Sequence, residues 1–321
     1  MQPEKIYLAI DGGGTKTEFV LFTQDGFVHS RIVLGGSNPN SVGIENAGQV
    51  LEIGIGRMLA HAPELRHVYA GIAGCMNPEN QKALTNHLNR VFPALNCLIR
   101  SDTLNVIHSV ECKDKCVAAI CGTGSVVYAK TPDGMHRLGG WGNRFDSAGS
   151  GYDIGRDAVS AALADNDGIG QPTCIRTLLE ERLGGNVWDR INRLYAMPKE
   201  QIAQLSALVF EAYERGDKVA EEILSRNMAR IAFLANHAFD TYDCGNTLVL
   251  AGGLTALEDV LQKLLYPKLR NGIVPVVASL PQIYGACVCC MASFEECLPG
   301  FRENFEKSYA HLREEDRRAE N

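Results

Sequence analysis

A glycine-rich turn near the start of the chain has residue types suited to holding phosphate. The segment Asp11–Thr17 reads DGGGTKT and follows a short apolar run. Three consecutive glycines allow a tight turn without crowding by Cβ atoms, so that backbone N–H groups can converge on phosphate oxygens. Thr15 and Thr17 would add hydroxyls, Lys16 a positive charge, and Asp11 a carboxylate able to hold Mg²⁺ through water. The pattern is not a P-loop, because no Gly-Lys-Ser/Thr opens a helix, and taken alone it suits an ordinary hairpin equally well.

Two further glycine-rich turns follow later apolar strands. Gly122–Ser125 (GTGS) comes after the run Val117–Cys121, and Gly252 and Gly253 come after Thr247–Ala251. Two phosphate turns can clamp a polyphosphate from both sides, and bare backbone lets a flat ring lie against it. A tight turn accounts for each segment alone, but their joint presence in this order predicts a nucleotide-binding site.

One carboxylate lies where a general base for phosphoryl transfer is expected. Asp102 follows the predicted strand Cys97–Ser101, and the carboxyl ends of strands in α/β proteins face the ligand crevice. A hydroxyl that attacks the γ-phosphoryl group of a nucleotide needs a partner that accepts its proton. The alternative is that Asp102 is the N-cap of a helix over Thr103–Val110.

The elements that must position these residues follow a duplicated pattern. The predicted strands Ile6–Ile10, Glu18–Phe22 and Phe27–Val33, joined by tight turns, indicate an antiparallel opening. The segments AIDGGGTKTEFVLF and AICGTGSVVYAK form a weak internal repeat of strand, glycine-rich turn and returning strand. After Gly151 the apolar spacing is mainly helical.

The length of 321 residues suits two domains. We place the N-terminal domain at 1–115 and the C-terminal domain at 116–297, followed by a polar tail at 298–321. The last apolar helix, from about Gln282 to Phe294, can pack back toward the N-terminal domain. The tail is rich in both charge signs, which is typical of a solvated helix or a frayed end.

Composition and charge limit the partners. The hydrophobic fraction of 45% and charged fraction of 21% are typical of a globular protein, and the net charge of -7 argues against nucleic acid as the main partner. No run approaches the roughly 20 apolar residues that span a bilayer, and the N-terminus lacks a secretory signal pattern. We therefore expect a cytoplasmic protein with a small-molecule substrate and neither a membrane nor a nucleic-acid partner. A homodimer is compatible with the sequence.

The 11 cysteines have irregular spacing, and several lie in apolar segments such as ACVCCMA. We expect reduced, buried thiols that pack as small hydrophobic side chains. A metal or iron–sulfur site is the alternative, since Cys112 and Cys116 are four apart, but no second pair with ligand-like spacing lies nearby. Trp188 and Tyr195 have helical spacing and are expected in the core.

These segments together resemble the actin/hexokinase/Hsp70 nucleotide-binding superfamily. Their order is DGGGTKT, a strand ending at Asp102, GTGS, GGWG and LAGG. More narrowly, the chain resembles the N-acetylglucosamine kinase group, which shares a sequence family with the ATPase activators of benzoyl-CoA reductase and 2-hydroxyacyl-CoA dehydratase. The likeness covers roughly residues 5–295, and Gly139–Val159 carries its narrower part. It implies an α/β, duplicated ribonuclease H-like (actin-like ATPase) fold, with two domains and a nucleotide cleft between them.

The resemblance also implies an ATP-dependent sugar kinase that phosphorylates the 6-hydroxyl of N-acetylglucosamine or a related amino sugar. ATP and Mg²⁺ would be bound, with Asp102 as the catalytic base and Asp11 holding Mg²⁺ through water. The nucleotide would be contacted by Asp11, Gly13, Gly14, Thr15, Lys16, Gly122, Thr123, Gly124, Gly252 and Gly253. The sugar would be contacted by Asn38, Asp102, Thr123, Gly140, Trp141 and Asp146.

One segment departs from the family's pattern. The kinases usually read GDEGS shortly after GGWG, whereas Asp146–Ser150 reads DSAGS here. Ser147 and Ala148 replace the family's acidic pair, which in the kinases contacts sugar hydroxyls. Either Asp146 substitutes through a small loop shift, or the sugar differs, or Asp146 is a solvated loop residue.

Two other functions occur among such proteins. An activator ATPase of a CoA-ester reductase or dehydratase would hold a cluster on cysteines of its dimer, but the cysteines here do not match those positions. A non-enzymatic actin-like regulatory protein is the third hypothesis. A sugar-responsive repressor would also need a DNA-binding module, for which the residues before Asp11 leave no room.

Overall fold

The computed structural model describes residues 5–110, 115–146 and 148–319. These residues form two compact units, one from within 1–111 and 278–321 and the other from within 112–277. Among them, no helix is both long and apolar enough to cross a membrane. The strands are β1 (Ile6–Gly12), β2 (Lys16–Thr23), β3 (Val28–Gly35), β4 (His67–Ile72), β5 (Asn96–Arg100), β6 (Cys116–Cys121), β7 (Ser125–Thr131), β8 (Gly134–Leu138), β9 (Thr247–Ala251) and β10 (Val274–Val277).

Helices account for most of the remaining described residues. They are α1 (Pro39–Val42), α2 (Ile44–His61), α3 (Pro78–Val91), α4 (Thr103–His108), α5 (Gly151–Asn166), α6 (Cys174–Leu183), α7 (Ile191–Tyr195), α8 (Lys199–Gln204), α9 (Ser206–Glu214), α10 (Lys218–Thr241), α11 (Glu258–Val260), α12 (Gln282–Phe294) and α13 (Phe301–Ala319). Short 3₁₀ turns cover Gly253–Ala256 and Tyr266–Lys268, and a π turn covers Leu261–Leu265.

The two units repeat one sheet plan. The strand order is β3-β2-β1-β4-β5 in the first unit and, from the corresponding edge, β8-β7-β6-β9-β10 in the second. In each unit the first three strands pair antiparallel, and the last two join the sheet in parallel. The predicted duplication and antiparallel opening are therefore confirmed.

Both faces of the first sheet are buried, as the alternation of its side chains requires. Leu8 and Ile10 of β1 belong to the core that α2 and α3 cover, whereas Tyr7 and Ala9 belong to the core formed with α12 and α13. A Cβ atom on Gly54 of α2 would lie 2.2 Å from the Phe19 ring, so this helix approaches the sheet closely. The strand ends and the loops that follow them are left to form a site.

The unit boundary differs from the predicted one at the C-terminus. Helix α12, which we placed in a domain ending at residue 297 but expected to be able to pack back toward the N-terminal domain, belongs to the first unit. A Cβ atom on Gly285 would lie 1.8 Å from the backbone oxygen of Asn105, so α12 packs directly on α4. The buried faces of Ile283, Cys287 and Met291 complete the core over β1.

The tail predicted as polar at 298–321 contains the well-formed helix α13. Phe301, Phe305 and Tyr309 are buried against the first sheet. They recur every four residues, which places them on one helix face, but the charged residues between them hide this stripe when composition alone is considered. The Ser308 hydroxyl also accepts a hydrogen bond of 2.9 Å from the backbone N–H of Val28.

Two aromatic residues expected in the core lie at the surface. Trp188 is 69% exposed and Tyr195 is 81% exposed. The predicted helical spacing fails because α7 begins only at Ile191, so the two residues do not share one helix face.

Candidate active site

The first glycine-rich turn joins β1 to β2 and is held from behind by another loop. Its base closes through a hydrogen bond of 2.9 Å from Gly13 N to Lys16 O. The Gly13 carbonyl accepts hydrogen bonds of 3.0 Å from the backbone N–H groups of Ser37 and Asn38. Gly14, Thr15 and Lys16 are exposed. The outer part of the turn is therefore fixed in place and open to a ligand.

Close packing explains which glycines the turn needs. A Cβ atom would lie 2.2 Å from Ser37 Oγ at Gly12, and 2.1 Å from Gly14 O at Gly36. Gly36 was missed by sequence reasoning, because its partner is 22 positions away in the chain. The Thr17 hydroxyl is buried, donates to Gly35 O at 2.8 Å and lies 2.8 Å from Ser37 Oγ, so it stabilises the loop instead of facing a ligand.

Asp11, at the end of β1, is oriented by a buried amide. Asn105 of α4 donates a hydrogen bond of 2.7 Å from Nδ2 to Asp11 Oδ1. Burial raises the pKa of Asp11 to about 7, with further contributions from the carboxylates of Asp102 and Glu18 and an opposing one from the Asn105 hydrogen bond. A bound cation would relieve this cost, which fits the predicted magnesium role. Sequence reasoning missed Asn105, for which the only signal is its position three residues after Asp102.

Asp102 lies between β5 and α4, in the same unit as Asp11. It occupies the N-cap position, but its side chain makes no capping hydrogen bond. The backbone N–H of Thr103 instead donates to Ser101 Oγ at 3.3 Å. Burial raises the pKa of Asp102 to about 6, although the Ser101 hydroxyl and, more weakly, the backbone N–H groups of Thr103 and Asp102 favour the charged form. The helix predicted by the capping alternative exists, but the carboxylate is not what caps it.

Asn38 follows the loop that supports the first turn and begins α1. Its Oδ1 accepts a hydrogen bond of 2.9 Å from Asn40 N. A Cβ atom on Gly74 would lie 2.5 Å from that same oxygen, so the loop after β4 holds the side chain in place. Within the described part of the chain Asn38 Nδ2 has no hydrogen-bond partner and can donate to a ligand.

The second glycine-rich turn is anchored on the start of α5. The Gly122 carbonyl accepts a hydrogen bond of 2.8 Å from Gly151 N, and the Thr123 carbonyl accepts one of 3.1 Å from Tyr152 N. The turn itself closes from Gly122 N to Gly124 O at 2.9 Å. Thr123 and Gly124 remain exposed. Because the first amides of α5 are used by the turn and by the Ser150 cap, ligand contacts here fall to side chains and to the turn.

A cavity of about 110 Å³ opens beside this second turn. We call it the Thr123 cavity. Four residues predicted from the sequence line it, namely Thr123, Gly124, Gly140 and Asp146. The sequence did not single out the lining residues Asn143, Tyr152, Asp153 and Lys199. The structure thus brings together four of the contacts predicted in the second unit, whereas Gly122, Trp141, Gly252 and Gly253 do not line this cavity.

The loop from Gly139 to Asp146 is closed by the carboxylate of Asp146. The backbone N–H of Trp141 donates to Asp146 Oδ2 at 2.5 Å. Gly140 has a φ of +73° and faces Val126, from whose Cγ2 a Cβ atom would be 2.7 Å away. The Trp141 ring is 64% exposed and lies under the Arg137 guanidinium at 4.5 Å. Asp146 is therefore more than a solvated loop residue, since it fixes the loop that carries Gly140 and Trp141.

The segment DSAGS is only partly described, because Ser147 lies outside the described residues. Ala148 is buried, and the next residue, Gly149, donates from its backbone N–H to Asn227 Oδ1 at 2.7 Å. Lys199, at the start of α8, lines the Thr123 cavity, and its Nζ lies 3.7 Å from Glu200 Oε1. In sequence it looks like an ordinary surface lysine, since only the fold of α8 onto α5 brings it to this turn.

Of the two glycines after β9, Gly252 is required by the backbone conformation and close packing, whereas Gly253 is not. Gly252 has a φ of +101°, and a Cβ atom there would lie 2.4 Å from Cys121 O. Gly253 is exposed, and among the described residues nothing lies within 4 Å of where its Cβ would be. The backbone at Gly253 is thus open, as the predicted adenosine contact requires.

Most described cysteines pack in the hydrophobic cores of the two units. Cys75, Cys121, Cys244 and the cluster Cys287, Cys289 and Cys290 are buried. Burial raises the pKa of the Cys75 and Cys121 thiols to about 12. Cys112 lies outside the described residues. Within the described ranges, no group of three or more His, Cys, Asp or Glu is arranged to hold a metal ion.

Comparison with known proteins identifies relatives over most of the chain. The model of the BadF/BadG/BcrA/BcrD ATPase family matches residues 8–289. The N-acetylmuramic acid/N-acetylglucosamine kinase of Clostridium acetobutylicum is 31% identical over 285 residues, which cover 83% of this chain and 93% of that protein. The N-acetyl-D-glucosamine kinase of Dictyostelium discoideum is 27% identical over 290 residues, which cover 84% of this chain and 91% of that protein.

A solved structure extends the comparison to the fold. A candidate N-acetylglucosamine kinase from Chromobacterium violaceum matches with a TM-score of 0.72 at 21% identity, covering 89% of this chain and 99% of that chain. This likeness, together with the repeated sheet plan, shows the predicted actin-like ATPase fold with two domains. Helix α13 lies beyond the residues that the family model matches.

Proposed function

This chain belongs to the BadF/BadG/BcrA/BcrD ATPase family, and we propose that it is an ATP-dependent kinase for the 6-hydroxyl of N-acetylglucosamine or a related amino sugar. Its enzyme class is then a phosphotransferase with an alcohol group as acceptor, as for the two curated relatives. The observation that carries the proposal is the pair of half-buried carboxylates with raised pKa values in the first unit. Asp11 is held by Asn105, whereas Asp102 follows β5 and its side chain makes no capping hydrogen bond to α4.

Each of the two glycine-rich turns, taken within its own unit, has an exposed part that can donate to the phosphates of a nucleotide. Gly14 and Thr15 present exposed backbone, and Lys16 adds a cation nearby. Thr123 and Gly124 present exposed backbone in the second unit, and the open backbone at Gly253 is available for the adenosine. Asp11 would hold Mg²⁺ through water, which suits the preference of this ion for retained waters. Bound Mg-ATP supplies the phosphoryl group and neutralises its charge.

Asp102 acts as the general base in this proposal. A carboxylate with a pKa of about 6 is ionised at neutral pH and is more basic than an ordinary aspartate. It accepts the proton of the sugar hydroxyl as that oxygen forms its new bond to phosphorus. The Ser101 hydroxyl, 3.3 Å from Asp102 Oδ1, orients the carboxylate for this step.

Sugar recognition is assigned to Asn38 in the first unit and to the Thr123 cavity in the second. The free Nδ2 of Asn38 can donate to a hydroxyl or carbonyl oxygen of the substrate. Gly140, Trp141 and Asp146 form one hydrogen-bonded loop at the cavity, and Thr123 lies across from it. Lys199 lines the cavity together with Asp146 and Asp153, and we assign its side chain to an acidic substituent of the sugar, which would include N-acetylmuramic acid, a substrate named for the Clostridium relative.

An ADP-release assay over a panel of sugars tests the proposal. The panel is N-acetylglucosamine, glucosamine, N-acetylmuramic acid, N-acetylmannosamine and glucose, each with Mg-ATP and the intact chain. We expect sugar-dependent ADP release with at least one N-acetylated sugar and none without sugar. ADP release that no sugar stimulates would reject the proposal. A brown, iron-containing protein after anaerobic purification would instead support the activator function.

A further inference from the structure

The second unit holds another, larger cavity that the proposed reaction does not use. Its volume is about 490 Å³, within the range of small-molecule sites. It lies among α6, α7 and α8 and is lined by Arg182, Arg193, Met197, Gln201, Gln204 and Leu205. None of these residues lines the Thr123 cavity, so the two are distinct.

The charges that line this cavity are of one sign. Arg182 and Arg193 are both exposed, and the lining residues, all in the described part of the chain, include no carboxylate. Arg193 donates from Nη1 to the backbone oxygen of Leu183 at 2.9 Å, which orients its guanidinium and leaves other N–H groups to donate. Arg182 has no hydrogen-bond or ion-pair partner within the described ranges. An oxyanion held by both groups would offset their mutual repulsion.

The remaining lining groups define the ligand further. The side-chain amides of Gln201 and Gln204 face the cavity without a protein partner among the described residues, and Met197 and Leu205 add apolar surface. Guanidinium groups match the tetrahedral oxygens of phosphate through paired N–H donors. We propose that this cavity binds a phosphorylated small molecule, with Arg182 and Arg193 on its phosphate group and the two glutamine amides on its polar body.

Helix α8 connects this site to the candidate active site. Lys199, at one end of the helix, lines the Thr123 cavity, while Gln201 and Gln204 line the larger cavity that contains Arg182 and Arg193. A Cβ atom on Gly155 of α5 would lie 1.9 Å from Ile202 O, so α8 packs directly on α5, the helix that anchors the second glycine-rich turn. A ligand bound to the arginines therefore contacts the same helix that borders the proposed sugar site.

Isothermal titration calorimetry on the intact chain tests this assignment without requiring turnover. The probe is N-acetylglucosamine 6-phosphate, added in the presence of saturating N-acetylglucosamine and ADP so that the proposed active site is filled. We expect one bound phosphate ester per chain. Arg182→Gln should weaken this binding by about 10-fold or more, because it removes a charge-assisted contact from an exposed side chain.

Arg190→Gln is the matched control. Arg190 donates to the Gly184 backbone oxygen at 3.0 Å, much as Arg193 does to Leu183, but does not line the cavity. It should change the affinity by less than about 2-fold, whereas Arg193→Gln should act like Arg182→Gln. Absence of phosphate-ester binding, or equal affinity in the wild type and Arg182→Gln, would overturn the proposal. Tighter binding of gluconate than of the phosphate ester would overturn phosphate as the ligand class.

Discussion

Asn105 donates a hydrogen bond of 2.7 Å to Asp11, although the two residues are 94 positions apart in the chain. The strand that ends in the glycine-rich turn is thereby tied to the helix that follows Asp102. A Cβ atom on Gly71 would lie 2.2 Å from Asn105 Oδ1, and one on Gly285 would lie 1.8 Å from Asn105 O. One close approach at its side chain and one at its backbone therefore fix Asn105, which orients the carboxylate proposed to hold magnesium.

Replacing Asn105 should chiefly weaken the affinity of the enzyme for Mg²⁺. Asn105→Ala removes the donor that orients Asp11, and such supporting contacts are worth about 10- to 100-fold in metal affinity or activity. We expect the Mg²⁺ concentration for half-maximal activity to rise by that factor, with partial recovery at high Mg²⁺. Asn89→Ala, at an exposed position of α3, is the control. An unchanged Mg²⁺ dependence in Asn105→Ala would contradict the role.

Asp102 should destabilise the folded protein at neutral pH. Burial raises its pKa from 3.8 to about 6, so ionisation costs the folded state more than the unfolded state. The penalty is absent below about pH 4, develops between pH 4 and 6, and is complete above pH 6. Asp102→Asn should therefore raise the free energy of unfolding by about 3 kcal/mol at pH 8 and change it little at pH 4. Denaturant unfolding at the two pH values measures this, and an equal effect at both would contradict it.

Lys199 should distinguish neutral from acidic sugars. Lys199→Met keeps the length of the side chain but removes the ammonium group from a residue that lines the Thr123 cavity. We expect KM for N-acetylmuramic acid to rise by about 10-fold, with little change in KM for N-acetylglucosamine, since one charge-assisted hydrogen bond is lost. Lys218→Met, which changes an exposed lysine of α10, should alter neither constant. Equal effects of Lys199→Met on both sugars would show that the lysine does not select the acidic group.

The hydrogen bond of the Tyr309 hydroxyl in α13 should stabilise the folded first unit. Its hydroxyl donates to Glu18 Oε1 at 2.7 Å, and Arg31 Nε donates to the same oxygen at 2.6 Å. Tyr309→Phe leaves a buried carboxylate short of one donor and should cost about 1–3 kcal/mol in the free energy of unfolding. Tyr195→Phe makes the same change at an 81% exposed site and should cost almost nothing. Equal losses in the two variants, measured by urea unfolding, would refute this role for α13.

The sequence predicted those features that short-range patterns determine. The strands around Asp11 and Gly122 were located because an apolar run that ends in glycines is typical of a strand entering a tight turn. The duplication was visible because the same strand, turn and strand recur. Asp102 was placed correctly after its strand, since the strand end itself marks the position.

Features that depend on distant packing could not be predicted. Asn105, Gly36 and Lys199 matter through partners far away in the chain, and no local pattern marks them. The tail was predicted as a solvated helix or a frayed end, and the burial of one face of α13 was missed because its apolar stripe is narrow and lies among many charges. Trp188 and Tyr195 were misplaced because helical spacing alone does not show where a short helix such as α7 begins.

The most direct test is a rapid-quench single-turnover measurement of γ-phosphoryl transfer from ATP to N-acetylglucosamine, comparing wild type with Asp102→Asn. The product is identified by NMR. We expect the 6-phosphate as the product, formed in one step by the wild type and about 10²- to 10⁴-fold more slowly by Asp102→Asn, with ATP binding retained. Phosphorylation by Asp102→Asn at the wild-type rate, or ATP cleavage without a sugar phosphate, would contradict a kinase that uses Asp102 as its base.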